Sequence, residues 1–260
     1  MNRCPVVGAE LAGRRPSGLR VLAPHRERHP GERAGRRRAP SPGRGAAQLK
    51  LVDEVQDQLE AIYDIECPRA SSFLVHPDDA PLLRSPDSDE ELWLHEAADG
   101  LEVGLYYSAA LRTLLAERSL GERGWLGSGL DAYCRLAEGV SHFLYLSRCA
   151  ELGRHLSMLE LEVQAEVDKF ASLVLQHWPS LRAASARELH ARLFREVSYR
   201  PGLRPDERFR YVEANRLAAL FTARLLTHVV ARRWDRLLEA LRYAYRLGAE
   251  AKLHHLARAA

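Results

Sequence analysis

The sequence lacks the patterns that identify the commonest classes of protein. No apolar run approaches the roughly 18 residues of a membrane-spanning helix, and no apolar stretch near Met1 resembles a secretion signal, so we expect a soluble, cytoplasmic protein. The four cysteines show no Cys-x-x-Cys spacing, which argues against a zinc knuckle and a disulfide scaffold. No Gly-rich phosphate loop, HExxH or GxSxG element occurs, so the commonest nucleotide-binding, zinc-protease and hydrolase classes are not indicated.

Lysine is also scarce, and the basic charge is concentrated at the start of the chain. Residues 1–48 contain eleven Arg, three Glu, six Pro and seven Gly but no aromatic residue. Their net charge is +8. Because the net charge of the whole chain is +3, residues 49–260 have a net charge of −5. A segment of this composition buries too little apolar surface to offset the entropy of ordering, and we expect it to be disordered.

Three explanations of the basic segment stay open. It could be a nucleic-acid-binding arm, an organellar transit peptide, or translated upstream sequence with the true start near Leu49. We favour the last, because the 35 Arg against 3 Lys in the chain indicate GC-rich coding sequence, in which upstream reading frames often stay open.

From Leu49 the pattern indicates a folded body. Apolar residues at i, i+3, i+4 spacing predict a first helix from Leu51, ending before Pro68. The short apolar segment Ser71–Val75 is compatible with a strand, and residues 77–90 have the composition of a loop. Asp99-Gly100 between two β-rich runs, Leu92–Leu94 and Leu101–Tyr107, predicts a hairpin and hence a two- or three-stranded antiparallel sheet.

After Tyr107 the pattern is helical to the end of the chain. Short gaps separate the helices, so neighbours are expected to pack antiparallel. The predicted class is α+β and predominantly helical: a small sheet near the start, followed by an antiparallel helical bundle. Residues 49–107 would form the helix and sheet, and residues 108–260 a helical body packed on them as one globular unit. The predicted helices are 108–118, 129–151, 157–177, 185–197, 206–231 and 234–257.

The helix at 129–151 carries an apolar face and a second, polar face without arginine. In so Arg-rich a chain, a solvated face would carry arginine, so we expect both faces to be covered. Gly139 costs about 1 kcal/mol relative to Ala inside a helix, which indicates that a neighbour approaches closely there.

That polar face contains Glu138 and His142, and the next helix offers partners for both. Glu162 and Glu166 on helix 157–177 form a like-charge i, i+4 pair, which is unfavourable unless something neutralises it. An antiparallel hairpin turning near Gly153 would bring Glu138 level with Lys169, and His142 level with Glu166.

Three interpretations of this cluster compete. Glu138, His142, Glu162 and Glu166 could hold Fe, Mn or Zn, although the spacing is Glu-x-x-x-His and not the Glu-x-x-His of di-iron bundles. They could instead form a buried ion-pair network, Glu138–Lys169 and His142–Glu166, with Glu162 on an arginine from elsewhere. The third interpretation is acid–base catalysis by Glu138, His142, Glu166 and Lys169. We favour the network, because structural ion pairs often resemble functional sites.

The absence of catalytic motifs makes a non-enzymatic interaction or regulatory module, binding another protein, the leading functional prediction. A metal-dependent or acid–base enzyme centred on the cluster is the alternative. Nucleic-acid binding through residues 1–48 is a weaker third.

Overall fold

The computed structural model describes residues 19–21, 42–75, 88–97, 100–116, 118, 127–178 and 180–258. The expected disorder of residues 1–48 lies mostly outside these ranges, except for one short strand and the beginning of the first helix. The strands are β1 (Leu19–Val21), β2 (Glu90–Ala97) and β3 (Gly100–Tyr107), with a 3-10 helix at Ala70–Phe73. The helices are α1 (Pro42–Tyr63), α2 (Ala109–Ala116), α3 (Leu130–Glu151), α4 (Met158–Gln176), α5 (Ala183–Phe194), α6 (Pro205–Val230), α7 (Trp234–Arg246) and α8 (Ala249–Ala257).

The predicted hairpin is confirmed, with two antiparallel strands. Ala97 pairs with Gly100, so Gly100 belongs to β3, and the two residues that connect the strands, 98–99, lie outside the described ranges. β1 lies along the other edge of β3, but it runs parallel, so a three-stranded antiparallel sheet is not formed by the described residues. The suggested strand at Ser71–Val75 is wrong: most of it is the 3-10 helix, and only Leu74 makes an isolated bridge to β3.

The helices follow the predicted periodicity, with one break that was not predicted. The expected helix 234–257 is two helices, because Leu247 and Gly248 have extended backbone. The break redirects the chain so that Lys252 of α8 is buried. The spacing of Ser157 and Glu160 predicts a capping box, and the Ser157 side chain does cap α4 by accepting from the Glu160 N–H.

The sequence predicts two further caps, by the same spacing at Ser185 and Glu188 and by Asp206 after Pro205, and both predictions are wrong. Ser185 lies inside α5, which begins at Ala183, so it cannot cap that helix. Asp206 lies in the first turn of α6, and the cap position belongs to Arg204, whose backbone N–H donates to the Glu207 carboxylate.

Helices α3 and α4 lie at the centre of the structure, as expected from the polar face without arginine. Both are buried on opposite faces along most of their length. α4 packs mainly against α3 and α6, whereas α1 and β2 lie against α3. One apolar core includes residues of all eight helices and of both hairpin strands. No helix in the described part of the chain is long and apolar enough to cross a membrane.

Gly139 permits the close approach between α3 and the hairpin. A Cβ atom at this position would lie 2.6 Å from Tyr107 Oη and 2.9 Å from Glu90 Oε1. Both distances are below van der Waals contact, so a Cβ atom at position 139 would displace the side chains of Tyr107 and Glu90 from the positions they take against the helix. The expectation of a close neighbour is therefore confirmed, and the neighbour includes a carboxylate.

Replacing Gly139 with Ala is expected to destabilise the fold by about 1–2 kcal/mol, because overpacking outweighs the gain in helix propensity. Gly248→Ala is the matched control, since nothing lies within 4 Å of its added Cβ. Urea unfolding of both variants measures the difference, and equal stabilities would contradict the close approach.

Candidate metal centre

A cluster of seven charged or titratable side chains lies where β2, α3, α4 and α6 meet. The six members from β2, α3 and α4 are between 0% and 4% exposed, and the arginine from α6 is partly buried. The members are Glu90 from β2, Glu138 and His142 from α3, Glu162, Glu166 and Lys169 from α4, and Arg210 from α6.

His142 lies at the centre of this cluster between two carboxylates. Its Nε2 is 3.6 Å from Glu162 Oε2, and its Nδ1 is 3.7 Å from Glu90 Oε1. Both distances exceed the 2.7–3.2 Å typical of an N–H···O hydrogen bond. Neither ring nitrogen has a hydrogen-bond partner, although the ring is fully buried. Buried polar atoms are nearly always hydrogen-bonded, so an imidazole that faces two carboxylates without a hydrogen bond to either needs an explanation.

Three donors around His142 are close enough to share one ion. Ligand atoms from Glu138, His142 and Glu162 all lie within 4.8 Å of one another. Two of these residues come from adjacent turns of α3 and the third from α4, so the antiparallel packing of the two helices brings the donors together.

Each of these three residues is also held by a partner outside the trio. Lys169 Nζ donates to Glu138 Oε2 at 2.7 Å, and Arg210 Nε lies 3.4 Å from Glu162 Oε1. Glu90 faces the Nδ1 side of His142. Carboxylates and cations that orient ligands from outside are a regular feature of metal sites.

The predicted pairings are confirmed in two cases and wrong in the third. Glu138 forms an ion pair with Lys169, as predicted. Glu162 forms one with an arginine from another helix, also as predicted, and that arginine is Arg210. The predicted pairing of His142 with Glu166 is wrong, because His142 faces Glu162, one helical turn away. Glu166 instead accepts from Lys169 at 2.8 Å, so the structure does not bring it to the imidazole.

Two members of the cluster were missed from the sequence. Glu90 was assigned to a loop, yet β2 begins there and pairs it with Tyr107. Alternation along the strand places Glu90 on the same face as the buried Leu92, and this period of two was the available signal. The i, i+3 spacing of Arg210, Glu213 and Arg216 predicts two ion pairs on the surface of α6. Only the pair Glu213–Arg216 forms, and Arg210 lies instead against Glu162.

The cluster shifts the pKa values of Glu90 and His142. Burial raises the pKa of Glu90 to about 7, against the opposing effect of His142. Burial alone would lower the pKa of His142, but the facing carboxylates Glu162 and Glu90 outweigh it and raise that pKa to about 10. In the metal-free protein His142 is therefore protonated at neutral pH. Burial also raises the pKa of nearby Cys134 to about 12, so its thiol stays protonated.

A second polar cluster lies on the side of α4 opposite Glu162, Glu166 and Lys169, and its groups are hydrogen-bonded to one another. The Asp168 carboxylate accepts from Tyr63 Oη, from Ser141 Oγ at 2.5 Å and from Gln164 Nε2 at 2.7 Å. Lys252 donates to Gln164, with its ammonium 3.9 Å from the centre of the Tyr145 ring. This cluster is typical of a structural network joining α1, α3, α4 and α8.

Comparisons of the chain with protein-family models, with curated proteins and with solved structures find no match.

His142 makes the stability of the metal-free protein depend on pH. Its pKa is higher in the folded state than the ordinary value of 6.5, so its contribution is fully present below pH 6.5 and lost as the pH rises toward 10. The charged groups that face it are Glu90 from β2 and Glu162 from α4, with Glu138 one turn away on α3. Urea unfolding in chelator is expected to give a free energy that falls between pH 6.5 and 9.

The same measurement on His142→Gln isolates this histidine, because glutamine keeps the bulk but does not titrate. We expect a smaller loss of stability over that pH range in the variant. An equal loss in both proteins would mean that other groups cause it.

Proposed function

We propose that this protein binds one divalent metal ion of the Fe, Mn or Zn class through His142, Glu138 and Glu162. The single observation that carries the proposal is the buried imidazole of His142, which faces carboxylates but has no hydrogen bond at either nitrogen. Glu90 would then accept from Nδ1–H and leave Nε2 for the ion, as carboxylates do for many metal-bound histidines.

The spacing of the donors supports an ion between them. Two donors about 2.1 Å from one metal, at angles of 90–110°, lie about 3.0–3.4 Å apart. The separation of 3.6 Å between His142 Nε2 and Glu162 Oε2 is a few tenths of an ångström longer. A small inward movement of the two side chains would therefore be enough to place an ion between them.

Charge balance gives independent support. Metal binding would displace the proton of His142, and the cluster would then contain four carboxylates but only two permanent cations, Lys169 and Arg210. With all four carboxylates ionised the surplus is two negative charges, which a divalent ion cancels, whereas in the metal-free protein the protonated His142 offsets one of them. Buried charge without a counter-charge is strongly unfavourable, so the donor set matches a +2 ion in charge as well as in geometry.

The chemistry of the donor atoms narrows the choice of metal ion. One imidazole and two carboxylates favour Fe, Mn or Zn, and no thiolate is at hand to favour Cu(I). When bound, such an ion would supply a Lewis-acidic centre and, for Fe or Mn, a redox-active one. Because the three ligand residues are at most 3% exposed, only small diffusing molecules could reach it in this conformation.

The protein-binding module is the second proposal. It needs a contiguous exposed apolar patch of several hundred Å². The large apolar side chains exposed in the described part of the chain lie on α2, after α3, on α6 and on α7, and not on one element. They are Leu114, Leu152, Phe209, Val212, Val230, Trp234 and Tyr243. Metal binding ranks first because a specific set of donors supports it, and a nucleic-acid arm at residues 1–48 remains a prediction.

Elemental analysis of the full chain, purified untagged and without chelator, tests metal binding. We expect about one equivalent of Fe, Mn or Zn, and its loss in His142→Ala, because that change removes the only nitrogen donor of the trio. The expected loss of affinity is at least 100-fold, measured by titration with Mn(II) or Zn(II).

His190→Ala is the matched control. His190 is also a buried histidine, but its ring contacts the Ala219 carbonyl and Phe194, away from the cluster. The control should keep its metal. Folded wild-type protein that neither contains nor binds Fe, Mn or Zn would refute the proposal.

A further inference from the structure

The ammonium of Lys169 lies where a second metal ion would be held if this were a two-metal centre. Its Nζ is 2.7 Å from Glu138 Oε2 and 2.8 Å from Glu166 Oε1. Glu138 is thus shared between Lys169 and the proposed ion, as a bridging carboxylate is shared between two metals. Glu166, which the structure does not bring to His142, would be the outer ligand of the second position.

We infer that Lys169 is a built-in cation that fills the second position and limits the site to one metal ion. The inference rests on the proposed function, because it concerns the stoichiometry of the same site. It also accounts for three of the four buried glutamates in the cluster. Glu138 and Glu162 would serve the metal ion, whereas Glu138 and Glu166 serve the ammonium.

The use of lysine here supports the inference. The chain contains 35 Arg and only 3 Lys, yet the cation between Glu138 and Glu166 is a lysine. An ammonium is a compact point charge, whereas a guanidinium is a broad planar group. Only the ammonium approximates the size and charge distribution of a metal ion between two carboxylate oxygens.

The test is the metal stoichiometry of Lys169→Ala, prepared as the full chain and refolded with excess Mn(II). Removing the ammonium leaves space beside two carboxylates that have lost their cation. We expect the wild type to bind one Mn(II) and the variant to bind two. Electron paramagnetic resonance should then change from the spectrum of isolated Mn(II) to that of an exchange-coupled pair.

Lys252→Ala is the matched control, because Lys252 is the other buried lysine and lies in the second polar cluster. It should still bind one ion. In chelator, Lys169→Ala should melt at a lower temperature than the wild type, and excess Mn(II) should reverse most of that loss by occupying both positions.

The outcomes separate this inference from the proposed function. One ion in both the wild type and Lys169→Ala would overturn the role of Lys169 and leave metal binding intact. Two ions in the wild type would overturn it as well, since Lys169 would then not exclude the second. A Lys169→Ala protein that stays unfolded even with Mn(II) would also contradict it, because ions should replace the ammonium. No ion in the folded wild type would end both proposals.

Discussion

Burying four glutamates around one histidine imposes a requirement for positive charge that the surrounding structure is arranged to meet. A carboxylate moved out of water loses several kcal/mol of hydration, and it must recover this from nearby cations or hydrogen bonds. Lys169 and Arg210 meet part of the requirement, and the rest falls on His142 or on a bound ion. The helices that carry these groups, α3, α4 and α6, are therefore fixed relative to one another by charge as well as by apolar packing.

Helix α4 is polar on two opposite sides, and the clusters on those two sides differ in their hydrogen bonding. On one side, Asp168 and its partners are hydrogen-bonded to each other. On the other side of the helix, the ring of His142 has no hydrogen bond, and the four buried carboxylates outnumber the two permanent cations, Lys169 and Arg210. Buried ion pairs seldom add stability over apolar residues of the same shape, so the second side is costly as a structural device. That difference is why we assign function to the cluster around His142 and a structural role to the one around Asp168.

The local periodicity of the sequence predicts most of the helices, but it predicts only some of the contacts in the site. The 3.6-residue pattern gave the helices from α1 to α6 and the pairing of Glu138 with Lys169, because an antiparallel hairpin fixes which turns are level. The partner of His142 was missed by one turn, about 6 Å along α4, since spacing alone does not fix where a long side chain points. Glu90 comes from a strand distant in sequence, and only the packing of the hairpin against Gly139 brings it to the histidine. Contacts of that kind depend on tertiary structure, which a helical pattern does not encode.

Anomalous X-ray diffraction from a crystal of the full chain grown with Mn(II) tests the central claim most directly. The account predicts one anomalous peak about 2.2 Å from His142 Nε2, with oxygens of Glu138 and Glu162 drawn in around it and Glu90 on the Nδ1 side. A His142 ring hydrogen-bonded directly to Glu162 and Glu90, with no anomalous peak between them, would contradict it. The cluster would then be a network of buried ion pairs.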